Sequence, residues 1–265
     1  MSSEFERASA TERVREGLWR AQIPEGWEQG RGAFGGLVLG TLVRAMEAER
    51  PDPSRTLRTL TGDLCGPVLA REAELEVEVL RHGARTTFID ARLRQGGRVQ
   101  ARASAVFAQP LAETRATVPE DPPDAPPWTA VDSVPVGPPF GPVFSQHYDY
   151  RITGPFPLSG GTEAVAEGYI REKDPPAVLD TPTLIGRVDA WWPALLTVES
   201  AVRPMATVSF TAEITADLTT IPGAEPLFHR ARVVAIRDGL TVEFRELWHG
   251  RTRVAMNQQT FAVLG

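Results

Sequence analysis

The sequence of 265 residues contains one cysteine, no run of 18 consecutive apolar residues and no block of basic residues. A lone cysteine, Cys65, can neither close an internal disulfide nor build a thiolate metal cluster. That fits a reducing compartment and gives the expectation of a cytoplasmic protein in which Cys65 is a small buried apolar residue. Without a long apolar run there is no candidate membrane span. Met1 to Ala10, MSSEFERASA, has neither the basic stretch nor the apolar core of a secretory signal. The 28 Lys and Arg are scattered and outnumbered by 34 Asp and Glu, a net charge of −6, so no nucleic-acid or anionic-membrane surface is expected. His82, His147, His229 and His249 form no H-x-H or H-x-x-x-H pair, and neither a metal nor a cofactor is expected. The serine-hydrolase elbow G-x-S-x-G is missing too: Leu158-Ser159-Gly160-Gly161 lacks its leading glycine.

What is present is length enough to bury about 70% of the unfolded surface and a conspicuous proline cluster. Ten of the 23 prolines fall between Pro110 and Pro142, and each removes a backbone donor, so no helix or strand runs through this stretch. It reads as a linker, 110–142, between units 1–109 and 143–265. In the first unit, Glu72 to Val79 alternates acid and apolar residues with period 2, the pattern of a strand with one wet and one buried face. A turn at His82-Gly83, a strand from Thr86 to Arg94, a turn at Gln95-Gly96-Gly97 and a strand from Val99 to Phe107 complete an antiparallel meander. The same order returns after the linker. Phe228 to Ile236, Asp238-Gly239, Leu240 to Trp248, His249-Gly250 and Arg253 to Leu264 read as a second copy of one unit.

Each meander is preceded by a helical candidate. Leu37 to Met46 is apolar all round, opened by Gly35-Gly36, whose amides are free to face a carbonyl or phosphate oxygen. Its twin is expected from about Leu184 to about Val198, with Pro193 in an early turn. A helix apolar on most faces must be wrapped. The simplest wrapping is a curved antiparallel sheet around each helix, the two sheets meeting edge to edge. Gly30-Arg31-Gly32-Ala33-Phe34-Gly35 spells G-x-G-x-x-G, but no parallel strand precedes it, so a nucleotide site is not expected.

Two polar features stand out. Asp189 lies in Gly186-Arg187-Val188-Asp189-Ala190-Trp191-Trp192, the most aromatic stretch of the second unit, where a carboxylate must be hydrogen-bonded or functional; a helix N-cap or first-turn acid is the plain alternative. In the last apolar strand one member of Gln258-Gln259 must point inward, because side chains alternate. Trp191, Trp192, Leu195 and Phe210 read as core that could also line an acyl tunnel.

Trp19-Arg20-Ala21-Gln22, Arg31 to Gly36, Arg58-Thr59-Leu60 leading to Gly66-Pro67, and Arg102 to Phe107 resemble the N-terminal half of TesB-type acyl-CoA thioesterases (acyl-CoA thioesterase II). Asp189, Ala206-Thr207-Val208-Ser209 and Val254-Ala255 to Gln259 continue the resemblance through the second half. It implies an α+β double hot-dog fold, two repeats each with a curved antiparallel sheet wrapped around a central helix. It also implies a homodimer or larger homo-oligomer that hydrolyses an acyl-CoA to free acid and CoA. Carried over residue by residue, the family's water-holding Asp, Thr and Gln fall on Asp189, Thr207 and Gln259. Gln259 is preferred to Gln258 for its spacing from Ala255. Ser209-Phe210-Thr211-Ala212 departs from the better-known members. The first unit lacks a carboxylate between Leu37 and Met46 and has Ala108 where the glutamine is expected to repeat, so one site per chain is expected. The other readings are a non-catalytic acyl-CoA or lipid-binding protein, and a hot-dog enoyl-CoA hydratase, for which no His follows a candidate Asp at short spacing.

Overall fold

The computed structural model describes residues 2–110, 118 and 120–264. Residues 111–117 and 119, part of the expected linker 110–142, lie outside the described residues. The first unit runs through α1 (Glu4–Ala8), β1 (Glu12–Arg15), β2 (Leu18–Gln22), a ribbon of β3 (Glu28–Gln29) and β4 (Gly32–Ala33), α2 (Gly35–Glu49), β5 (Thr56–Leu64), β6 (Glu72–His82), β7 (Thr86–Gln95) and β8 (Arg98–Ala108). The second runs through β9 (Tyr148–Ile152), β10 (Val165–Glu172), α3 (Thr181–Asp189), β11 (Met205–Ile214), β12 (Leu227–Arg237), β13 (Leu240–His249) and β14 (Thr252–Val263).

Twelve strands form one antiparallel sheet in the order β1-β2-β6-β7-β8-β5-β11-β14-β13-β12-β10-β9. Both meanders stand where the sequence places them. The alternation in β6 is obeyed: Ala73, Leu75 and Val77 are buried while Glu72, Glu74 and Glu78 are exposed. The two halves join where β5 pairs with β11, with Thr61 opposite Thr211 at the centre of the seam. This is the hot-dog arrangement, doubled within one chain. Among the described residues, no helix is long and apolar enough to cross a membrane.

The two helices cross inside the sheet at Gly36 and Gly186. A Cβ on Gly36 would stand 3.0 Å from the Gly186 Cα, so the crossing requires residues without side chains. α1 is closed by a Ser3–Glu6 capping box, and it inserts Phe5 between them, where a Cβ on Gly186 would meet the ring at 2.6 Å.

Two expectations are corrected. The second central helix spans Thr181 to Asp189, not Leu184 to Val198. Asp180 caps its N-terminus through the Thr183 amide, with Pro182 in the first turn. Pro193 disfavours helix at the residue before it and supplies no donor, so the chain breaks after Asp189 and resumes as a separate 3-10 turn at Ala194–Thr197. Cys65 is exposed rather than buried, because it lies just past the end of β5, outside the alternating pattern. The G-x-G-x-x-G stretch makes the turn of the β3–β4 ribbon, β4 itself and the entry to α2, so the strand before the helix belongs to an antiparallel hairpin rather than to a parallel sheet.

Candidate functional site

Asp189 is the last residue of α3, not its N-cap, so a negative charge sits at the end of its own helix that disfavours one. The helix crossing resolves the conflict. It brings the carboxylate to the start of α2 in the other unit, where a Cβ on Gly35 would lie 2.8 Å from Asp189 Oδ2. The Gly36 amide lies beside the carboxylate and favours its charged form. Phe34, at the N-cap of α2, offers no side-chain cap, and Asp189 takes that function from across the interface. The Gly36 amide therefore faces a carboxylate of the protein itself rather than standing open to a substrate oxygen.

The sheet delivers the other two residues. In β14, Gln259 is fully buried on the inner face while Gln258 is exposed on the outer one. Thr207 reaches the same inner face through a β-bulge between Thr207 and Ser209, which places Thr207 opposite the inward Phe261. Thr207 Oγ1 lies 3.4 Å from Gln259 Oε1. The Gln259 side chain also lies beside the Asp189 carboxylate, and among the described residues its buried Nε2 forms no hydrogen bond. The structure thus brings Asp189, Thr207 and Gln259 into one cluster between α3, β11 and β14.

Burial dominates the electrostatics and holds the Asp189 carboxyl above the usual carboxylate range, opposed first by the Arg245 guanidinium and then by the Gln259 side chain and the Gly36 amide. Arg245 and its partner Glu243 were not anticipated from sequence. Val242 and Phe244 suggest the opposite inner face for β13, yet Thr241, Glu243, Arg245 and Leu247 point inward, and Phe244 is exposed. The usable signal was that Glu243 and Arg245 share the face of Leu247. His229, fully buried on β12, stacks on Trp191 at 5.0 Å between ring centroids. Burial and Arg245 push it well below its ordinary pKa, so it is neutral. Trp191, Leu195 and Phe210 are core, and the Tyr150 hydroxyl donates to the Ala190 carbonyl at 2.9 Å.

The first unit provides an internal comparison. The β5–β8 and β11–β14 ladders carry their bulges at equivalent positions, after Leu57 and after Thr207. Leu57 pairs with Phe107 as Thr207 pairs with Phe261, and Leu60 with Ala105 as Phe210 with Gln259. The glutamine position therefore repeats at Ala105, three residues before the expected Ala108. Aligning the helix N-caps, Phe34 with Asp180, sets Val43 against Asp189. Valine, leucine and alanine stand where the second unit has Asp189, Thr207 and Gln259, so the cluster is not duplicated.

Two family models match the chain: "Acyl-CoA thioesterase N-terminal domain" over residues 23–108 and "Acyl-CoA thioesterase C-terminal domain" over residues 116–263. No curated protein matches the sequence. Among solved structures, a hot-dog protein of unknown function from Alicyclobacillus acidocaldarius superposes with a TM-score of 0.91 at 22% identity, covering 100% of this chain and 99% of that one. A candidate thioesterase II from Thermobifida fusca YX gives 0.84 at 25% identity, covering 100% and 98%. The acyl-CoA thioesterase II TesB2 from Mycobacterium marinum gives 0.76 at 17% identity, covering 98% of each chain. With both halves matched in order, the chain belongs to the acyl-CoA thioesterase family and is a thioester hydrolase of double hot-dog fold.

Proposed function

We propose that the chain hydrolyses an acyl-CoA to the free carboxylic acid and CoA, using a water held by Asp189, Thr207 and Gln259. The observation that carries this reading is the meeting of a buried carboxylate, a hydroxyl and an amide from three separate elements, beside the first turn of a helix that has no side-chain cap of its own. Water adds to the thioester carbonyl carbon as Asp189 accepts its proton, with Thr207 and Gln259 fixing its orientation. The oxyanion that forms takes a hydrogen bond from the Gly35 amide, since Gly36 faces Asp189 and the Leu37 amide already donates to the Phe34 carbonyl. A donor of that kind contributes about 2.7–4 kcal/mol in other enzymes. The intermediate collapses with cleavage of the C–S bond, and the proton held by Asp189 passes to the departing sulfur. The products are the carboxylic acid and CoA thiol, and no covalent enzyme intermediate is needed.

The test is thiol release, read colorimetrically across acyl-CoAs of increasing chain length. Release of CoA by the wild type and its loss in Asp189→Asn support the reading. Release that survives Asp189→Asn removes Asp189 from the mechanism. Tight acyl-CoA binding without release indicates a carrier, and loss of enoyl absorbance a hydratase.

A further inference from the structure

The internal comparison extends beyond the three residues of the cluster. By ladder register, Glu243 corresponds to Ile89, Arg245 to Ala91, Asn257 to Ala103 and His229 to Leu75. All are inner-face positions: the fold builds this layer from apolar residues in one half and from polar ones in the other. A buried ion pair is commonly no more stabilising than apolar residues of similar volume, and the first unit shows that the architecture does not require one. Glu243 and Arg245 therefore serve something other than the fold.

Their contacts indicate what. Arg245 Nε donates to Glu243 Oε1 at 2.7 Å, Arg245 Nη1 donates to the Val188 carbonyl at 2.9 Å, and the Ala194 amide donates to Glu243 Oε2 at 2.6 Å. Both side chains are fully buried. Val188 and Ala194 bracket Asp189 and the Trp191-Trp192-Pro193 break, so the pair clamps both ends of the segment that carries the carboxylate. Arg245 Nη2, also buried, has no partner among the described residues.

We propose that Arg245, oriented by Glu243, is the positioning residue for Asp189: it holds the end of α3 and presents a buried cation to the carboxylate. This rests on the reading of Asp189 as the proton acceptor. The groups around Asp189 leave Arg245 in that role. The stretch of α2 from Gly35 to Val43 carries no charge, and Thr207, Asn257 and Gln259 are neutral. On β9, Tyr148 and Tyr150 are pushed well above their ordinary pKa by burial and stay protonated. On β12, His229 is neutral. On α3, Arg187 is committed to Glu172 and to the carbonyls of Gly223 and Glu225. Glu243, the remaining acid, is raised by burial and by Asp189 and lowered by Arg245. With one cation near two carboxylates, removing it forces Asp189 toward its protonated form, which accepts no proton from water.

The experiment replaces the pair by its first-unit counterparts, Glu243→Ile with Arg245→Ala, and compares it with the wild type, Arg245→Lys and Asp189→Asn. Thiol release from the acyl-CoA panel is followed from about pH 5 to 9. The double variant is expected to fold, with the acid limb of kcat/KM displaced upward by about one pH unit or more. Its rate at neutral pH should fall about tenfold and recover at high pH. Arg245→Lys should restore the limb while kcat stays low, because one ammonium cannot make both the Glu243 and Val188 bonds. An unmoved limb in a folded double variant overturns the proposal. A wild type without thiol release instead overturns the proposed activity. In that case a 13C carboxyl titration of Asp189, assigned against Asp189→Asn, decides the pairing without turnover, with Arg245→Lys and Arg245→Gln as single variants if the double does not fold. An upward shift without the guanidinium supports the proposal, and an unchanged titration overturns it.

Discussion

Asp189 ends the central helix of one unit and lies against Gly35, the first residue of the central helix of the other; a Cβ on Gly35 would stand 2.8 Å from its Oδ2 and 2.6 Å from Leu64 Cδ1. Gly35→Ala should therefore push the carboxylate away from Thr207 and Gln259 rather than unfold the chain. A displacement near 1 Å is worth about 10²-fold in rate. The expected outcome is a loss of that order in kcat, with circular dichroism and melting temperature changed little.

Asp189→Asn should separate activity from stability. Removing the proton acceptor is expected to reduce thiol release by about 10²–10⁴-fold. Burial raises the folded-state pKa of Asp189 above its unfolded value, so ionisation of this group opposes folding, fully above the folded pKa and not at all below the unfolded one. The asparagine variant should melt higher than the wild type at neutral pH. That advantage should vanish as pH falls through the raised pKa toward the ordinary carboxylate range. Melting curves against pH read this directly, and an advantage that grew on acidification would contradict it.

Because Val43, Leu57 and Ala105 replace the polar trio in the first unit, binding should be one per chain. Calorimetric titration of the Asp189→Asn protein with acyl-CoA is expected to saturate at about one equivalent. Two equivalents would mean that the first unit retains a site of its own.

A second buried pair makes a useful contrast. Arg187 forms a bidentate pair with Glu172, Nε donating to Oε1 and Nη2 to Oε2, tying α3 to β10, and both are buried. Glu172→Gln leaves a guanidinium poorly compensated and should cost about 3–5 kcal/mol in urea unfolding. Its surviving folded fraction should keep the wild-type pH profile, unlike variants at Arg245.

The sequence carried the meanders, the repeat and the sheet-wrapped helices because period-2 alternation and glycine turns are local signals. The start of α3 was equally legible in Asp180-Thr181-Pro182, a cap followed by an early proline; the apolar run beyond Asp189 obscured it by prolonging the helical pattern across Pro193. Asp189 could be singled out by its surroundings, but its capping of α2 could not, since that depends on how two helices 146 residues apart cross. Glu243 and Arg245 were hidden for another reason. Phe244 and Val242 satisfy the alternation in the wrong sense, and only the fixed register of Leu247 and of β14 turns the charges inward.

The two units that meet where β5 pairs with β11 lie on one polypeptide, an arrangement that two identical subunits could otherwise assemble. In a symmetric pair of separate chains every substitution appears twice, so a layer cannot be polar on one side and greasy on the other. Joining the copies lifts that constraint: one half is free to become scaffold, with Ile89 and Ala91 providing ordinary packing, while its sibling carries the costly buried charges Glu243 and Arg245.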